Sequence, residues 1–144
     1  MTHASRDTTT GLKFEAAIRM ERNGIDLSKH KLYAFLKARN INYKDYISKK
    51  LIPDEAYYDA VAQTFTVYEK KCQHVNGSAD EKLETCAFKI SQYRKLAKAF
   101  GVPEENVTYT YVLNSRFKDP DYSDVLKYIR SVDGCNYVFA DALN

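Results

Sequence analysis

The chain has 144 residues, 44% of them hydrophobic, and a formal net charge of +3. That length supports one domain whose core needs no staples, and no apolar run approaches the roughly eighteen residues of a membrane-spanning helix. Cys72, Cys86 and Cys135 are odd in number and lack metal-site spacing, which suits a reducing, intracellular and cytoplasmic setting.

The charge is unevenly spread. Residues 1–53 hold 11 Lys/Arg against 5 Asp/Glu, whereas residues 54–144 hold 11 against 14. A basic first third is either a phosphate-facing surface or a solvated helix face.

Residues 1–10 lack the apolar run of a signal peptide and are expected to form a flexible arm, with a single domain over 11–144. A threonine at 8–10 caps a predicted helix over Leu12–Arg22 that Gly24 ends. A second helix is expected over Ser28–Arg39, closed by Asn40, with Leu32, Phe35 and Leu36 inward and Lys29, Lys31, Lys37 and Arg39 outward as candidate phosphate contacts. The segment Ile41–Leu51 reads as a first strand, Ile52–Tyr58 as a second, and Thr64–Gln73 as a third with period-two alternation.

After a loop at 74–77, Ser78 to Glu81 fit a capping box that opens a helix running to Phe100, with Gly101 and Pro103 as its stop. Gly77, Ser78 and Lys82 would then offer donors to a phosphate, or serve only as an ordinary helix start. Asn106–Leu113 reads as a strand followed by a polar loop, where Asn114, Arg116 and Lys118 are candidate DNA contacts. A short helix over Asp121–Ile129 and an edge strand over Cys135–Phe139 complete the chain.

The chemistry sits on the third strand. Successive strand residues point to opposite faces, so Phe65, Val67, Glu69, Lys71 and Gln73 share one face. An acid, a cation and an amide on an inward face need a partner or a purpose, because burying unpaired charge is costly. Asp54, on a neighbouring strand, brings a second carboxylate. Two carboxylates beside a lysine offer hard oxygen ligands for Mg²⁺ and a cation for an anionic substrate. A structural ion pair between Glu69 and Lys71 is the plainer alternative.

Pro53-Asp54, a spacer, and Glu69-Lys70-Lys71, followed by Gln73 and the GSADEKL stretch at 77–83, resemble the PD-(D/E)XK superfamily, and within it compact type II restriction enzymes. The resemblance implies an α/β, restriction-endonuclease-like core with a central mixed β-sheet of about four to five strands flanked by helices. It also implies the order helix–strand–strand–strand–helix–strand. Carried over residue by residue, Asp54 and Glu69 would hold Mg²⁺ (with Mn²⁺ able to substitute). Glu15 would join them through a bound water, Lys71 would serve the attacking water and scissile phosphate, and Gln73 would assist by hydrogen bonding. Lys70 would face away.

The function implied is a Mg²⁺-dependent endonuclease acting on double-stranded DNA as a homodimer or higher homo-oligomer, without a membrane. A homing endonuclease or Holliday-junction resolvase would use the same chemistry, and a non-catalytic DNA-binding module is the alternative of another class.

Overall fold

A computed structural model describes Phe14 and residues 18–73 and 78–141. Five strands form one mixed sheet in sequence order: β1 (Ile25–Asp26), β2 (Glu55–Asp59), β3 (Thr64–Lys71), β4 (Val107–Leu113) and β5 (Cys135–Phe139). β1 to β3 form an antiparallel meander, and β3, β4 and β5 run parallel. The connections explain this. β2 and β3 are joined by a tight turn in which the Asp59 carboxylate accepts the Val61 and Ala62 amides. The parallel pairs instead need crossovers. These are α2 (Cys86–Ala99) between β3 and β4, and α3 (Ser123–Ser131) between β4 and β5. A further helix, α1 (Lys31–Ala38), lies between β1 and β2.

Strand alternation sorts the core into two faces. Ala56, Tyr58, Phe65, Val67, Tyr109, Tyr111 and Leu113 pack with Leu32, Leu36, Ile90, Tyr93, Leu96 and Ile129 of the helices. On the reverse face Tyr57, Tyr68 and Val112 pack with Phe14, and Ile18 and Met20 lie against them. Helices α1 and α2 stop as the sequence predicts. Asn40 (φ 60°) and Gly101 (φ 89°) turn the chain left-handed, and Ile41 and Val102 donate back to Leu36 and Ala97.

Several expectations need correction. Ile41–Leu51 is no strand: it holds a 3₁₀ turn at Tyr43–Asp45 and irregular chain. The first strand is the two-residue β1, too short to leave a period-two signal. It follows Gly24 at φ 110°, where an added Cβ would lie 2.4 Å from the Tyr58 carbonyl oxygen. Of the predicted Leu12–Arg22 helix, Phe14 is helical and residues 18–22 are not; the rest, with the 1–10 arm and Glu15, lies outside the described residues.

Helix α1 starts at Lys31, which leaves Ser28 and Lys29 in the turn before it. The predicted capping box is not made either. Ala79–Thr85 is a 3₁₀ segment whose N-cap Ser78 forms no side-chain cap, and the α-helix begins only at Cys86. Gly77 and the loop at 74–77 fall outside the described residues. The last helix is shifted by two residues, to Ser123–Ser131.

Candidate active site at the edge of β2 and β3

The β2–β3 register pairs Glu55 with Tyr68 and Ala56 with Val67. Continuing it by one residue sets Asp54 opposite Glu69, on the helix-covered face. Asp54 is fixed from both sides. Its Oδ2 accepts the Lys70 backbone amide at 2.8 Å, and its Oδ1 accepts the Lys29 ammonium at 3.0 Å. Lys29 reaches it from a left-handed backbone conformation (φ 53°) while its own amide donates to the Pro53 carbonyl at 2.8 Å. A lysine in that region carries strain that a glycine would not.

Glu69 is buried, 7% exposed, and Lys71 extends from the same face with its ammonium 3.7 Å from Glu69 Oε2. Burial, then the Asp54 charge, pushes the Glu69 carboxyl up from 4.5 to about 7, against the pull of Lys71 and Lys89. Burial also acts upward on Asp54, but the Lys70 amide and Lys29 outweigh it and hold that carboxyl below its ordinary value. The two carboxyls lie close enough to act on each other, and the contact lowers Asp54 and raises Glu69. Environments that push two neighbouring carboxyls apart mark a site built for charge. The desolvation has visible causes: Tyr93 and Tyr109 stack with centroids 6.0 Å apart, Tyr111 meets Tyr109 edge-on, and all three phenols are pushed up by burial with Glu69 contributing.

Lys89, from α2, completes the cluster. Burial lowers its ammonium while Glu69 and Asp54 act upward. Sequence reasoning missed it, although a signal was present. Lys89 borders the apolar stripe of Cys86, Ile90 and Tyr93, where a lysine is out of place.

Lys70 does point away from this site, as alternation requires, but it is not idle. Its ammonium donates to the Ile18 carbonyl and lies 3.5 Å from Glu55 Oε1 in a buried pair. Glu55, fully buried, also accepts the Met20 amide at 2.7 Å and meets Arg19 Nε at 3.2 Å. This network clamps residues 18–20 onto the reverse face.

The other candidates scatter. Gln73 is buried, and its backbone amide and carbonyl are gripped by the Asn114 side chain at 2.9 and 3.1 Å. That makes Asn114 a clip between the ends of β3 and β4. Lys31 is exposed and pairs with Asp26 at 3.1 Å, while Arg39 lies 4.2 Å over the Phe35 ring. Lys118 sits 5.2 Å over Phe139. Lys37, Ser78, Lys82 and Arg116 are exposed. Among the described residues no group of three His, Cys, Asp or Glu side chains converges to hold a metal. No protein-family model matches the chain, and neither the curated proteins nor the solved structures give a significant match.

Proposed function

We propose that this protein is a Mg²⁺-dependent DNA endonuclease of the PD-(D/E)XK kind, with its site at Asp54, Glu69 and Lys71. The observation that carries this is the carboxyl pair set across β2 and β3 beside the Lys71 ammonium. From α1 to β4 the order is helix–strand–strand–helix–strand, one strand short of the order that the sequence resemblance implies, because Ile41–Leu51 forms no strand; the part that supports the reading is the β2–β3 hairpin followed by α2 and β4. A mixed five-stranded sheet flanked by helices is in keeping with it.

The donor set fits magnesium. Asp54 and Glu69 supply hard oxygens, and two carboxyls set side by side favour positive charge between them. Magnesium commonly binds through one or two carboxylates, with waters and phosphate oxygens completing its shell. When bound, such an ion polarises the phosphate and makes water a nucleophile near neutral pH. The chain's own part is separate. Lys29 and the Lys70 amide orient Asp54, Tyr93 and Tyr109 keep bulk water from Glu69, and Lys71 stands beside the pair to stabilise negative charge gathering on the phosphoryl oxygens.

The test is direct. Incubated with genomic DNA and Mg²⁺, the protein is expected to leave discrete new ends that sequencing can map, and none with EDTA. Intact DNA under both conditions would remove the endonuclease reading.

A further inference from the structure

A groove of about 620 Å³ is walled by α1 and the irregular segment that follows it. Its lining includes the rings of Tyr33 and Tyr43, the amides of Asn40 and Asn42, and the cationic side chains of Lys37 and Lys50. Among the described residues no acidic one lines it. The two rings meet edge-on with centroids 5.3 Å apart, and the Lys50 ammonium caps both, at 4.7 and 5.2 Å. The Tyr33 hydroxyl donates to the Leu51 carbonyl at 2.6 Å and accepts the Leu51 amide at 2.9 Å, so the ring is held in place.

Each feature answers a part of one ligand. Half-exposed aromatic rings offer a stacking surface to a base, side-chain amides match a base's hydrogen-bonding edge, and lysines around them suit phosphate. The volume lies in the range of small-molecule sites. Position adds the rest. Lys50 is four residues from Asp54, a separation of at most about 14 Å of chain, or about four nucleotides along a strand at 3.4 Å each. His30, in the lining, directly follows Lys29, which holds Asp54.

We infer that this groove receives an unpaired nucleotide of the DNA strand within a few nucleotides of the scissile phosphate. A base inside an intact duplex is stacked on both sides and cannot enter, so the substrate class is DNA with a single-stranded or extruded nucleotide beside the cut. This deepens, and rests on, the nuclease reading.

The experiment is a binding measurement in EDTA, without cleavage. Two fluorescent oligonucleotide duplexes are compared by anisotropy, one fully paired and one with a single unpaired 2-aminopurine, whose own emission reports stacking. The wild type is expected to bind the second at least about fivefold more tightly, with the 2-aminopurine emission quenched. Tyr43→Leu and Asn42→Ala, checked for wild-type thermal unfolding, are expected to remove that preference while leaving paired-duplex affinity unchanged. Equal affinity of the wild type for both duplexes, or a preference untouched in both variants, overturns the groove assignment alone. Binding of neither duplex overturns the groove assignment and the nuclease reading together.

Discussion

Glu69 stands opposite Asp54 across the β2–β3 edge, with Asp54 held below its ordinary pKa and Glu69 raised to about 7. In metal-free protein this has a definite sign. Glu69 binds its proton more tightly folded than unfolded, so stability falls as pH rises from about 4.5 to about 7. Asp54 acts oppositely: its contribution is present above 3.8 and is lost as pH falls through its depressed folded value. In EDTA, Glu69→Gln should flatten the decline and make the protein about 2–3 kcal/mol more stable than wild type at pH 8. Urea melts at pH 5, 6, 7 and 8 measure it, and an unchanged slope would deny the raised Glu69 carboxyl.

Adjacent lysines should part company. Lys71→Ala leaves the core intact and removes the ammonium beside Glu69, so single-turnover cleavage should fall at least about 100-fold with little change in stability. Lys70→Ala strips the buried Glu55 of a partner, and stability should fall by about 3 kcal/mol, short of the largest losses because Arg19 remains. Folded Lys70→Ala should still cut DNA. A stable but inactive Lys70→Ala beside an active Lys71→Ala would shift the site by one residue.

That contrast shows what the sequence could convey. Alternation over Thr64–Lys71 placed Glu69 and Lys71 on one face because a two-residue period leaves no freedom, and the helix stops at Asn40 and Gly101 were legible because each obeys a backbone rule. The Lys70–Glu55 pair was not legible, since it depends on a register that pairs Glu55 with Tyr68 and on contacts with residues 18–20, far away in sequence. Lys89 was hidden by a helix whose inward stripe is broad. The false strand at Ile41–Leu51 came from aromatic and β-branched residues that in fact line a groove and cover a helix end.

Lys29 tests the strain at the site's rim. Lys29→Ala keeps a side chain at φ 53° and loses the Asp54 contact, whereas Lys29→Gly loses the contact but relieves the backbone. The glycine variant should be the more stable by about 1 kcal/mol. Thermal unfolding of both variants checks it, and an alanine variant at least as stable would remove the strain.

Lys37 and Arg116 are exposed cations, and if both meet phosphates their joint neutralisation should flatten the salt dependence of DNA binding by about two units of slope. Lys31, already paired with Asp26, should change the slope less. Anisotropy titrations between low and moderate salt decide it, and an unchanged slope would make these residues a solvated surface.

The central claim is that Asp54 and Glu69 together hold the metal that cleavage needs. The most direct measurement is Mg²⁺-dependent single-turnover cleavage by wild type, Asp54→Asn and Glu69→Gln, each shown to be folded and to bind DNA in EDTA. The account predicts loss of cleavage in both variants, with DNA binding retained or tightened because a repelling carboxylate is gone. Near-normal cleavage by both folded variants would contradict it.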